Sequence, residues 1–216
     1  MESKLYLNTD KYFVTFKKLT EENDKYKQYF IEVLICGKMI EKPIDSLELR
    51  KQKKLILEKY DDYTKLDIKN TDKEWIYNII DHKAESNDII FEDNNIILIP
   101  DYKWDKTLKN LHILAIFKNK SLGSIRDLRA NNIEELEESV ENGKKIIMDK
   151  YGIDNLIVYF HYRPSVWQLH MHFTNLDTDN KDSFLLPRAH LAKTVIQNLK
   201  NDTEYYIKAE LEVLTV

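Results

Sequence analysis

Trp167-Gln168-Leu169-His170-Met171-His172-Phe173 is the most informative segment of the chain. Polar and apolar residues alternate along it with a period of two, the pattern of a strand with one covered face. In that conformation Gln168, His170 and His172 share one face. Trp167, Leu169, Met171 and Phe173 share the other, which is predicted to be buried. Just upstream, His161, Arg163 and Ser165 surround Pro164, which marks a turn leading into the histidine strand. Hydrogen-bond donors and candidate nucleophiles therefore gather within one short segment. Three other uses stay open on this pattern alone: histidines serving as structural residues, a divalent-metal site with His161 as third ligand, and a pH-sensitive patch. The metal use lacks the carboxylate or cysteine close in sequence that zinc sites usually recruit.

Upstream of it, Leu156–His161 and Leu111–Phe117 read as strands, and Ile89–Phe91 with Ile96–Ile99 as a hairpin around Glu92–Asn95. A long helix is predicted over 131–151, with Asn131 or Asn132 as cap, Glu134 and Glu135 in the favoured first turn, and Gly152 ending it. Further helices are expected over Asp72–His82 and Pro187–Lys200, and a last strand over Ala209–Leu214. Near the start, Tyr12–Phe16 and Tyr29–Cys36 read as paired strands around a charged turn at Glu21–Lys27, followed by a helix from Leu47 to Tyr60. Antiparallel strands flanked by a few helices predict an α+β fold. The linker-like run from Asp61 to Asn70 places the expected division at a small strand-rich domain over 1–65 and a larger one over 66–216.

Composition narrows the function. Lys and Arg number 33 against 37 Asp and Glu, a net charge of −4, which argues against a protein that coats long nucleic acid. A phosphorylated small ligand needs a few local cations and is compatible with that balance. The single cysteine, Cys36, has no internal disulfide partner, which fits a reducing compartment. Met1 to Asp10 carries charges and no apolar run of signal length, and no stretch has the roughly 20 apolar residues of a membrane helix. The expectation is a cytoplasmic protein, with nuclear entry left open and no membrane partner.

Val158-Tyr159-Phe160-His161-Tyr162-Arg163-Pro164-Ser165, continued by Leu169-His170-Met171-His172-Phe173, resembles the signature of the scavenger messenger-RNA decapping enzymes of the histidine-triad superfamily. Trp75–Asp81 with Lys83-Ala84-Glu85, Pro100-Asp101-Tyr102-Lys103-Trp104, Ser124–Leu128 and Arg188–Leu191 also resemble segments of that family, in the same order. The resemblance implies a histidine-triad domain that cuts 7-methylguanosine cap remnants, capped dinucleotides or very short capped RNA, without a metal or cofactor. It implies His170 as nucleophile, with His172, His161 and Ser165 donating to phosphate oxygens and Lys103 and Arg188 neutralising phosphate charge. It places the methylated base against Trp75, Tyr102, Pro100, Asp101 and Glu85. Cationic guanine is attracted to aromatic faces by about 0.5–2 kcal/mol. Gln168 stands where the first triad histidine is expected, Tyr102 where an aliphatic residue is expected, and Val166 where an aromatic one is. The family further implies a homodimer whose N-terminal domain closes over the ligand, with Lys42 near a phosphate.

Overall fold

The computed structural model describes residues 54–184 and 186–215, without the side chains of 182, 183 and 215, and describes three N-terminal strands by backbone alone. Those strands are β1 (Phe13–Glu22), β2 (Lys27–Ile35) and β3 (Lys38–Asp45), an antiparallel sheet in the order β1-β2-β3. The expected strand pair is present, and β3 extends it. Lys42 lies on β3, and its side chain falls outside the described residues, as does Cys36.

The second compact unit runs from Lys54 to Thr215. It starts earlier than the linker-like run suggested, because β4 (Lys54–Glu58) is a strand and not the end of a helix. Its partner is β11 (Leu211–Thr215), paired antiparallel from Leu211 opposite Glu58 to Thr215 opposite Lys54. A pairing across that sequence distance leaves no mark on local periodicity. The short helix α1 (Tyr60–Thr64) follows β4.

The main sheet comprises β5 (Phe91–Glu92), β6 (Ile96–Pro100), β7 (His112–Phe117), β8 (Leu156–His161), β9 (His170–Asn175) and β10 (Ala189–Leu191). Their spatial order is β10-β8-β9-β7-β6-β5, with every neighbour antiparallel. This is the α+β architecture expected. The histidine strand lies in the middle, between β8 and β7, so both of its edges are hydrogen-bonded.

Alternation along these strands separates two cores. Ile96, Leu98, Ile113, Ala115, Phe117, Val158, Phe160, Met171 and Phe173 bury one face. Against that face lie α3 (Ile133–Tyr151) and α4 (Ala192–Asn201), and α5 (Tyr205–Lys208) adds Tyr206. Helix α3 turns Leu136, Ser139, Gly143 and Ile147 inward, at intervals of three and four residues that keep one helical stripe. It ends at Gly152, whose φ of 69° is the left-handed conformation that glycine adopts freely. Asn132 occupies the cap position, but its side chain makes no capping bond. The predicted helix over 187–200 starts later, since Ala189–Leu191 is drawn into the sheet by pairing with Tyr159–His161. No helix among the described residues is long and apolar enough to cross a membrane.

Gly143 marks the closest approach of α3 to the histidine strand: a Cβ there would collide with the Phe173 ring. Gly143→Val is therefore expected to lower unfolding stability by about 1–3 kcal/mol through overpacking. A shifted urea midpoint with unchanged slope would measure it.

On the other face, Ile97, Ile99, Leu114 and Ile116 are covered by α2 (Glu74–Ile80), which contributes Ile76, Ile79 and Ile80. That helix roofs the β6–β7 side. The neighbouring stretch of the same face, over β8 and β9, carries the histidines.

Candidate active site

The cleft holding the histidines has a volume of about 240 Å³. Its lining includes His161, His170 and His172 from the sheet, Asp101, Tyr102 and Lys103 after β6, and Trp75 from α2. Ser165 and Arg188 complete it from the segments after β8 and before β10. Residues far apart in sequence thus meet at one cleft.

The register explains why. Tyr159 of β8 faces His172, and Leu114 and Ile116 of β7 face His172 and His170. All of these side chains project to the face opposite Met171 and Phe173. His161 lies against His172, with ring centroids 4.2 Å apart, and the His170 and His172 rings are 5.0 Å apart. Tyr159 stacks on His172 at 5.0 Å, nearly parallel to it.

His170 Nδ1–H donates to the backbone carbonyl of Gln168 at 2.7 Å. With the proton held there, Nε2 keeps its lone pair, the state a nucleophile requires. Burial pushes the His170 pKa below the ordinary 6.5, against the opposing pull of that carbonyl and of Asp101. His172 is pushed further down, first by burial and then by the neighbouring His170, His161 and His112. His112 is also lowered by burial, with Asp101 acting in the opposite sense.

Rings depressed in this way stay neutral as pH drops through 6.5. Any activity that depends on neutral His170 should therefore hold its kcat/KM through that pH, with the acidic limb lying below it. In the unfolded chain the same three rings protonate near 6.5, so the unfolded state binds more protons below that pH. Stability consequently declines as pH falls, and urea titrations across pH 7.5–5 would register the slope.

Gln168 departs from the expectation. It sits in a bend before β9 and not on the strand, and it does not line the cleft. Its side-chain amide donates to the carbonyls of Phe117, at 2.7 Å, and Asn119, at 3.0 Å. Leu169 N–H donates to Leu122 O, and Phe117 N–H donates to Leu169 O. The residue is a bracket that fixes the carbonyl on which His170 hangs. It carries no exchangeable charge, and none is needed for that work.

The other expected residues divide. Trp75 is 39% exposed and Tyr102 is 82% exposed, so neither is a core residue. Lys103 Nζ lies 5.3 Å from the Tyr102 ring centroid. Lys103 and Arg188 bring two cationic side chains to the cleft, and neither forms an ion pair among the described residues. Asp101 is buried and accepts the Lys103 backbone N–H at 2.7 Å. Pro100 ends β6 half-buried, and Glu85 is exposed on a left-handed turn after α2; neither lines the cleft. Arg163, grouped with the donors in sequence, is tied to Glu58 instead, through Nε at 2.7 Å.

One residue escaped the sequence reading. His112 is buried at the start of β7, and its Nε2 lies 2.9 Å from His172 Nδ1 and 3.8 Å from an Asp101 carboxylate oxygen. A histidine opening an otherwise apolar strand was the available signal. The donor atoms of Asp101, His112 and His172 lie within 4.8 Å of one another, the spacing of a possible metal group. However, two nitrogens on a tetrahedral zinc stand about 3.3 Å apart, given bonds of about 2.0–2.1 Å. The 2.9 Å contact fits a hydrogen bond better, and His161 and His170 are outside the group.

Residues 74–184, just over half of the chain, match the family described as scavenger mRNA decapping enzyme C-term binding. The m7GpppX diphosphatase of Homo sapiens is 36% identical over 73% of this chain and 50% of its own length. That of Caenorhabditis elegans is 40% identical over 63% of this chain and 46% of its own. The chain spans about half the length of the curated relatives it matches. Among solved structures, Hnt3 is similar at 18% identity and a TM-score of 0.43, over 65% of this chain and 86% of that one.

Proposed function

We propose, from the premise that the chain belongs to the scavenger mRNA decapping enzyme family, that it hydrolyses 7-methylguanosine cap remnants. The products are 7-methylguanosine monophosphate and a nucleoside or short oligonucleotide diphosphate. The observation that carries this reading is the His170 ring. Its Nδ1 proton is committed to a backbone carbonyl, and its other nitrogen is left in a cleft lined by Lys103 and Arg188.

In this reading His170 Nε2 attacks the phosphorus attached to 7-methylguanosine. The P–N bond forms as the bond to the bridging oxygen breaks, and the diphosphate leaves. Water then attacks the phosphohistidine, restoring the ring and releasing the monophosphate. Charge gathering on the non-bridging oxygens is met by His172, His161 and Ser165, donors aimed at oxygen positions in a largely dry site. Arg188 and Lys103 neutralise the remaining phosphates, with the guanidinium able to form a two-pronged contact. Trp75 and Tyr102 are the two aromatic groups of the cleft, and a cationic purine between them gains stacking and cation–π attraction. Glu85 and Pro100 are assigned to the base by resemblance alone.

The bracket made by Gln168 supports active chemistry over mere cap binding, because the task of holding the His170 carbonyl is carried out by an uncharged amide. The N-terminal strands are proposed to join two copies into a homodimer, which sedimentation would examine, and Lys42 is assigned to the phosphates by resemblance alone, which a Lys42→Ala variant would examine. A cytoplasmic location with access to the nucleus is part of the same proposal.

The test is incubation with 7-methylguanosine-capped and unmethylated dinucleotides in the presence of a chelator. Release of 7-methylguanosine monophosphate, with the methylated cap favoured and that preference reduced about 3–30-fold in Trp75→Ala, is the expected result. Equal turnover of both caps would instead make the protein a general dinucleoside polyphosphate hydrolase. Tight binding with no release would make it a cap-binding protein.

A further inference from the structure

We propose that His112 is a positioning residue that holds His172 as the neutral tautomer bearing its proton on Nε2, so that an uncharged ring presents an N–H to the substrate. The functional part of this inference rests on the hydrolase reading above; the tautomer itself does not.

Between His112 Nε2 and His172 Nδ1, 2.9 Å apart, there is room for one proton. If His172 owned it, His172 Nε2 would be a bare lone pair, buried and without a partner among the described residues, with no proton to offer an anionic oxygen. If His112 owns it, His172 accepts at Nδ1, and its own proton sits on Nε2. The Asp101 carboxylate decides between these states. Its Oδ2 lies 3.8 Å from His112 Nε2, and in this buried setting a negative charge favours the hydrogen-bearing nitrogen on that side. The other carboxylate oxygen is fixed by the Lys103 backbone N–H at 2.7 Å. Backbone, carboxylate and two imidazoles thereby form one directed chain ending at the phosphate site.

The device answers a chemical difficulty. A protonated imidazolium would be the simplest donor, but burial and three neighbouring rings hold His172 neutral. A neutral imidazole donates from one nitrogen and accepts at the other, and left alone it exchanges between both forms. His112 removes that freedom. His172 Nε2, which has no hydrogen-bond partner among the described residues, is then the orphan donor that a phosphate oxygen satisfies.

Two-bond proton–nitrogen correlation spectra of the histidine rings in the ligand-free protein read the tautomer directly. The wild type is expected to show His172 protonated at Nε2. His112→Leu, which can neither donate nor accept, should show exchange between both tautomers and lose about tenfold or more in kcat with little change in KM. His112→Gln keeps an N–H near the original Nε2 position and should restore both the tautomer and most of the rate. Finding His172 protonated at Nδ1 in the wild type would overturn the proposal even if His112→Leu does not fold. So would an unchanged tautomer in His112→Leu, or failure of His112→Gln to restore what His112→Leu loses. A wild type with the expected tautomer but no turnover of any cap would refute the hydrolase reading and leave the tautomer assignment standing.

Discussion

His170→Asn should abolish cap hydrolysis, with kcat reduced about 10³-fold or more, while the fold and cap binding persist. The choice of asparagine follows from the geometry. Its amide nitrogen falls close to the position of imidazole Nδ1 and can keep donating to the Gln168 carbonyl, a contact of 2.7 Å in the native site. The atom removed is Nε2, the proposed nucleophile. Retained binding with lost release, measured by fluorescence of Trp75 and by product chromatography, would separate the chemical role of this ring from a packing role. Retained turnover would remove His170 as nucleophile and return the search to the other nucleophilic side chains lining the cleft, Ser165 and His161 among them.

The largest expected loss of stability lies away from the cleft. Glu58 is fully buried at the end of β4 and pairs with two guanidiniums, offsetting one of their two charges. Arg126, itself fully buried, approaches one carboxylate oxygen at 3.3 Å, and Arg163 approaches the other at 2.5 Å. Tyr162 also donates its hydroxyl to Glu58. Arg126 Nη1 and Nη2 also reach the carbonyls of Glu58, Tyr206 and Ala209 at 2.6–2.9 Å, and its Nε donates to the Tyr162 hydroxyl at 3.3 Å. Glu58→Leu would leave Arg126 buried without its counter-charge, which costs about 3–5 kcal/mol. A urea midpoint is the direct measure. Because Arg163 sits two residues before Ser165, the variant should also loosen the Ser165 turn and weaken phosphate binding. Glu58→Leu with an unchanged midpoint would show that water or a rearranged carboxylate compensates Arg126.

Much of this was legible in the sequence, for identifiable reasons. The histidine strand announces itself because its neighbours alternate in polarity, and its buried side is Leu169, Met171 and Phe173. Helix α3 is legible from its inward stripe and its terminal glycine. Trp75, Lys103 and Arg188 were expected at the cleft through family resemblance, since nothing in their local spacing brings them together. What stayed hidden depends on contacts between distant segments. The strand at Lys54–Glu58 exists through its pairing with β11, and Arg188 precedes a strand because β8 offers an edge to Ala189–Leu191. Gln168 leaves the strand because two carbonyls from β7 and its following turn bind its amide. His112 gains meaning from being beside His172, a residue 60 positions away.

The division of labour across the sheet face has a consequence for how such a protein can change over generations. The four imidazoles sit on three adjacent central strands, where an insertion or deletion would shift the register and turn them away from one another. Trp75 stands on the roofing helix, and Tyr102 and Arg188 stand on segments outside the strands. Ligand preference can therefore drift by single substitutions at the periphery while the reactive centre is inherited intact. In this lineage, new substrates are more accessible to selection than new chemistry.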